Sequence, residues 1–438
     1  MRQLTLFLLL CSTLYGEYLL KSSYRERSVL DRLPHKSVAD MYRIPQEPSF
    51  YANQVTPLSK SKQATYDREY NTKYFAPWQL SKLNIPQKDF GWEMRFLQRK
   101  PIHTQRGHII PPSTYNEWLR NANIEALNSQ KLYAITTTHT NLKALPTDTK
   151  FYRNPDKEGE GIPFDYNQNS AYYINTPLFI SHFSKDKEWA FVQGSFAFGW
   201  LRVSDIALVD RKFIKSFQNG RYVMSIKDNL RLYHQNKELS LIKLGTLFPY
   251  DRYGYLFATK GERGYAKISR FHVTDASIIA QKPLRFTPKN VAKVAKEFYN
   301  EPYGWGGGYG CRDCSATTRD FLGIFGIFLP RNSAKQAKSG KMLLIKNIPT
   351  KAEKKATIIA HAKPFRSLLF VSGHIVLYIG HYKNEPIILH TYWGIRKTDL
   401  TKLVTARTII TTTEPGKERK DIRENSKLIH TLKYIVNF

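Results

Sequence analysis

The chain reads as an α+β protein, and three observations lead there. Short runs of alternating β-branched and aromatic residues, broken by glycine turns, fill the middle from Leu132 to Val273. A glycine-rich run, Tyr303-Gly-Trp-Gly-Gly-Gly-Tyr-Gly310, then gives way abruptly to residues with helical spacing. Beyond it, Ser372-Gly-His374-Ile-Val-Leu-Tyr-Ile-Gly380 and Pro386-Ile-Ile-Leu-His390 read as apolar strands, each with a histidine at one end. At 438 residues, two to four domains are expected rather than one.

From the start of the chain, Met1-Arg2 followed by the apolar run Leu4 to Leu10 reads as a signal peptide over residues 1–16. The run is too short to span a bilayer. Gly16 is the best small residue for cleavage, and Leu10 before Cys11 argues against a lipoprotein anchor. An exported protein of the periplasm or cell envelope is expected. Residues 17–62 are polar, with scattered prolines and no sustained period, and read as an extended or weakly ordered arm. Over residues 63–131 aromatics return, including Phe75, Trp78, Phe90, Trp92 and Trp118. Pro111-Pro-Ser113 opens a helix expected to carry Trp118, Leu119, Ile124 and Leu127.

Composition narrows the class further. An apolar fraction of 42% with 13% aromatics is ample for packed cores. A formal charge of +31 points to an anionic partner. No motif of nucleic-acid-binding spacing accompanies it, so an anionic cell wall or membrane surface fits the charge. Nothing in the sequence points to an obligate protein partner.

Between residues 132 and 212, Glu188-Trp-Ala-Phe-Val192, a glycine turn and Gly199-Trp-Leu-Arg-Val203 carry a hairpin signature. It resembles the closing part of a bacterial Src-homology-3-type barrel. Residues 213–280 hold a second set, with Leu241 to Phe248, Gly254 to Thr259 and Gly264 to Ile268 as strands of a divergent second barrel. Thr287-Pro288 then caps a helix that buries Val291, Val294, Ala295 and Phe298.

The chemistry concentrates after it. Cys314, Thr318, Phe321, Leu322 and Phe325 recur at three- and four-residue steps, which places Cys314 in the first turn of a helix. A thiol there meets the positive end of the helix dipole and unpaired amides, which favour its thiolate. The preceding glycines let a backbone approach closely. A thiol nucleophile needs a base from elsewhere in the chain, and His374 and His390 supply two candidates: one to take the proton, one to orient it. Residues 351–355 are charged and expected to be solvated, and the tail over 413–438 carries no functional reading.

Asp313-Cys314-Ser315, Gly373-His374, the position of His390, the lead-in Pro302-Tyr-Gly-Trp-Gly-Gly307 and the follow-on Leu329-Pro-Arg-Asn-Ser-Ala-Lys-Gln336 together resemble the NlpC-type cell-wall cysteine peptidases. The resemblance is strong from about Thr287 to Thr412, departing at Ala316, where many members have glycine. It implies a papain-like catalytic domain over 281–412, the two barrels before it, and an N-terminal stabilising role for 63–131. It implies that Cys314 attacks an amide carbonyl, with His374 as base and His390 orienting it. Tyr303, Asp313, Ser315 and Arg331 fall at substrate-side positions. The substrate implied is the peptidoglycan stem peptide, cut between γ-D-glutamate and a diamino acid, with no metal or cofactor. Two other classes use the same residues: a thiol–disulfide oxidoreductase working through Cys311-Arg-Asp-Cys314, and a non-catalytic wall-binding protein whose barrels do the work.

Overall fold

The computed structural model describes residues 18–33, 35–86 and 89–438. The expected signal segment and Cys11 lie outside the described residues. Three sheets carry the architecture. The first barrel is a seven-stranded antiparallel sheet in which Trp189–Gln193 pairs with Phe198–Arg202 in the hairpin register Trp189 to Arg202. Its inward side chains, Leu178, Ile180, Val192 and Leu201, are fully buried, as alternation along the strands requires.

The second barrel closes differently from its sequence pattern. The expected strand from Leu241 to Phe248 is two strands, Lys237–Ile242 and Leu247–Asp251, parted by a turn in which Gly245 has φ +88°. The eighth strand comes from the arm. Tyr18–Ser22 lies between Leu230–His234 and Ala266–Val273, antiparallel to one and parallel to the other. The arm is therefore ordered. Further along it, the helix Pro48–Ala52 buries Tyr51 and Ala52 in the same core as Phe321 and Phe325. Long-range pairing overrode a polar local composition. In the segment that follows, the helix Pro112–Asn121 carries Trp118 and Leu119 but ends before Ile124, since Asn123 turns left-handed at φ +50°.

The region expected to be catalytic is a six-stranded antiparallel sheet with the helix Cys314–Ile324 against it. His374–Tyr382, Glu385–Arg396 and Lys402–Thr412 form one side of this sheet. On the other side Tyr434–Asn437 inserts between Lys341–Leu344 and Ser367–Val371. The C-terminal segment is thus an interior strand of the catalytic sheet, with Ile435 and Val436 fully buried. Residues 351–355 open the helix Lys351–His361 and are paired rather than merely solvated: Lys351 and Lys355 both bond Glu414. The helix Pro288–Lys296 is capped by the Thr287 hydroxyl and buries Val291, Val294 and Ala295, with Phe298 just beyond its end.

Candidate active site

The glycine run earns its composition from the first barrel. Gly306 and Gly307 adopt φ +60° and +81°, where a side chain would be strained. A Cβ on Gly306 would stand 2.3 Å from the Gln168 carbonyl oxygen, and the Gln168 side-chain amide donates to the Gly306 carbonyl at 3.1 Å. The approach inferred from the glycines is an approach to the barrel.

That loop delivers the chain to Asp313, whose carboxylate caps the helix by accepting from the Ala316 amide at 2.9 Å. The Gly306 amide donates to its other oxygen at 3.1 Å. Arg331 holds the cap in a fork of two bonds, 3.0 and 2.5 Å, and donates to the Ser315 hydroxyl at 2.7 Å and to Ser170 of the first barrel at 3.0 Å. Asp313, Ser315 and Arg331 therefore form one unit that fixes the first helical turn, and with Arg331 alongside, Asp313 stays below the usual carboxylate range despite its burial.

Cys314 opens the helix at the floor of a cleft of about 920 Å³. Burial, with Asp313 next to it, pushes its thiol up to about 12, and the Ile375 amide pulls in the opposite direction. That direction runs against the thiolate expected from the helix start. Burial likewise brings His374 down to about 4, so the imidazole is neutral at ordinary pH and free to accept a proton.

His374 and His390 are brought together. Their rings meet through Nε2 of His374 and Nδ1 of His390 at 3.1 Å. His390 Nε2 lies 3.0 Å from the Thr411 hydroxyl, which donates to the Thr412 carbonyl at 2.8 Å. Donor counting favours one set of tautomers. With the Thr411 hydrogen given to the carbonyl, His390 Nε2 donates to Thr411. A neutral His390 then accepts at Nδ1, and His374 Nε2 is the donor. The lone pair of His374 is left on Nδ1, the nitrogen not engaged with His390. Sequence reasoning missed Thr411: it sits in an ordinary β-branched strand, and only the pairing of Glu385–Arg396 with Lys402–Thr412 brings it to the histidine.

Tyr303 lines the cleft, buried, with its hydroxyl pushed well above its ordinary value by that burial and by Cys314 and Asp313 nearby. Its ring packs on Phe164 and Trp393 rather than on Trp305. The other cleft walls come from distant parts of the chain: Trp92 and Phe96 from the N-terminal region, and Tyr166, Gln193 and Phe198 from the first barrel. Asp89 and Lys335 join across it at 2.7 Å. Cys311 does not line this cleft. It is 1% exposed, a free thiol beside Glu301 and Lys243, and burial pushes it up to about 12. Among the described residues, no cluster of three metal-ligating side chains occurs.

Comparison with known proteins gives three family matches along the chain. Residues 300–411 match the NlpC/P60 family, 150–202 an SH3 domain of the SH3b1 type, and 4–127 the N-terminal stabilising domain of NLPC_P60 proteins. The chain is similar to an NlpC/P60 endopeptidase from Photobacterium damselae subsp. piscicida over 92% of its own length and 99% of that chain, at 21% identity and a TM-score of 0.82. An NlpC/P60 family protein from Bacillus cereus ATCC 10987 aligns over 70% of this chain and 99% of its own, at 12% identity and a TM-score of 0.46. The first of these shows a shared fold. No curated protein matches the chain.

Proposed function

We propose, from the premise that this chain is an NlpC/P60 cysteine peptidase with an SH3b-type barrel and the family's stabilising domain, that it hydrolyses the γ-D-glutamyl–diamino acid bond of peptidoglycan stem peptides. The observation that carries the reading is Cys314 at a capped helix start on the cleft floor, with a hydrogen-bonded histidine pair whose free lone pair is on His374 Nδ1.

In this mechanism His374 Nδ1 takes the thiol proton as Cys314 attacks the amide carbonyl, and returns it to the leaving amine. His390 holds the tautomer and shares the charge that develops on His374. The Cys314 amide, at the helix N-terminus, faces the oxyanion. A neutral resting pair makes the proton transfer part of the attack.

The cleft walls support a preference for short, free stem peptides over intact, crosslinked wall, because three parts of the chain enclose the nucleophile. The same proposal includes an address outside the cytoplasm, in the periplasm or cell envelope, motivated by Arg2 and the Leu4 to Leu10 run. An intact N-terminus on cytoplasmic protein would overturn that address. The activity test is digestion of defined stem tripeptides and of intact sacculi, with products identified by mass spectrometry. Release of the diamino acid from the tripeptide is expected, faster than any release from sacculi. Cleavage at another bond, or equal rates on both substrates, would overturn the reading.

A further inference from the structure

One wall of the cleft carries aromatic side chains that the peptidase mechanism leaves unused. Trp305, Tyr166, Phe96 and Trp92 all line the cleft, and all four are half-buried. They form a continuous row. Ring centroids are 6.2 Å apart from Trp305 to Tyr166, 4.4 Å from Tyr166 to Phe96 and 6.4 Å from Phe96 to Trp92. The row starts beside the nucleophile: Gly306, next to Trp305, donates its amide to the Asp313 carboxylate, one residue before Cys314. Packing on Leu97, Ile110 and Phe151 accounts for Phe96 and Tyr166. It does not account for Trp92, whose one ring contact among the described residues is with Phe96.

The stem peptide gives this wall nothing to bind. Its alanine, γ-glutamate and diamino acid bring no side chain with a flat apolar face. An ammonium group over the rings is disfavoured as well. The Arg153 guanidinium already lies 3.5 Å from the Phe96 centroid, and Arg331, Lys335 and Lys338 line the cleft. The two carboxylates that line it among the described residues, Asp313 and Asp89, are held by Arg331 and Lys335. A neutral ligand with a flat C–H face fits better. A pyranose ring has one, which lies against the negative face of an aromatic ring and leaves hydroxyl and acetamido groups at its edge. Carboxamides for those groups line the same cleft: Asn169 and Gln193, fixed by backbone partners at 2.8 and 2.7 Å, and Asn84. At about 920 Å³ the cleft is near the top of the roughly 300–1,000 Å³ range of ligand sites, so a tripeptide alone does not need all of it. We infer that the row is a subsite for the N-acetylmuramyl sugar to which the stem is amide-linked, and that the preferred substrate is a soluble muropeptide, one sugar with an uncrosslinked stem. The inference rests on the peptidase reading and leaves the preference over crosslinked wall as it stands.

The test compares L-alanyl-γ-D-glutamyl-diaminopimelate with its N-acetylmuramyl derivative, in steady-state kinetics and in calorimetric binding to Cys314→Ala. The muramyl derivative should show a kcat/KM about tenfold higher, and bind Cys314→Ala about tenfold tighter, at the worth of one well-stacked ring. Trp92→Ala should lower this ratio between the two substrates severalfold, and Trp92→Tyr, which restores a ring, should keep most of it. Reading a ratio cancels any general loss from a displaced wall. Hydrolysis of the tripeptide with an equal or slower rate on the muramyl derivative would overturn the sugar subsite and leave the peptidase reading standing. A ratio unchanged in Trp92→Ala would also overturn the subsite. Hydrolysis of neither compound would remove the peptidase reading, and the binding ratio of Cys314→Ala would then decide the subsite by itself.

Discussion

Thr411→Val isolates the tautomer argument from the rest of the site. Thr411 is fully buried, and valine matches its shape, so packing is retained while the acceptor for His390 Nε2 is lost. Without that acceptor, His390 has no reason to keep its proton on Nε2. Placed on Nδ1 instead, the proton would face His374 Nε2, turn the His374 hydrogen to Nδ1, and block the nitrogen that must receive the thiol proton. A neutral hydrogen bond is worth about 1 kcal/mol net, which converts into roughly a fivefold loss of the productive tautomer and so of kcat. KM should hardly move, since Thr411 does not line the cleft. Thr411→Ser keeps the hydroxyl and should keep most of the rate. The assay is steady-state kinetics on a stem tripeptide, with a melting curve for each variant. An unchanged kcat in Thr411→Val, or equal losses in the valine and serine variants, would refute the assigned direction of the chain from His374 to Thr412.

Cys314→Ala should abolish hydrolysis, by several orders of magnitude, while Cys311→Ala keeps most of it; loss in both on the same peptide assay would favour a dithiol mechanism. The acid limb of kcat/KM should fall near pH 4, where His374 gains its proton and ceases to be a base, as a pH–rate profile will read. Stability should follow the same sign: His374 near 4 and His139 near 3 are both held below the ordinary histidine value in the fold. Their contribution is whole above about pH 6.5 and is lost as pH falls through those lower values, so melting temperature should drop over that window. Arg312→Met should cost about 3–5 kcal/mol in urea unfolding, because it leaves Asp228, Glu301 and Asp320 with one buried base fewer than they share now, and adding Asp228→Asn should recover part of it.

What was legible in the sequence was what repeats locally. The helix from Cys314 shows itself through apolar residues at three- and four-residue steps, and the hairpin around Gly194 through alternation on both sides of a turn. The histidines could be put at strand ends but not joined, because their contact depends on how Glu385–Arg396 curls beside His374–Tyr382. The strands Tyr18–Ser22 and Tyr434–Asn437 left no adequate trace. Each is short, and each takes its partners from residues far away in the chain, so no window of sequence contains the pairing. The burial of the thiol was illegible for a related reason. A helix start is visible locally, whereas the walls that desolvate Cys314 come from distant segments.

Those walls bear on what the barrels are for. Three contacts bind them to the few residues just before and after the nucleophile. Gly306 lies against Gln168, Arg331 ties Ser170 to the Asp313 cap, and Arg312, 2% exposed, bonds Asp228 at 2.9 and 3.0 Å. Arg312 also bonds Glu301 and Asp320 within the catalytic region, and Lys243 of the second barrel bonds Asp228 and Glu301. Each side brings a base and an acid to this buried cluster, and the pairs Arg312–Asp228 and Lys243–Glu301 cross between the two. A freely tethered targeting module would not be built this way, because separating it would break both crossing pairs in a dry interior. The first barrel is part of the site: it braces the loop and the cap that hold Cys314 and walls the cleft in front of it, while the second reaches the same segment through the Asp228–Arg312 pair.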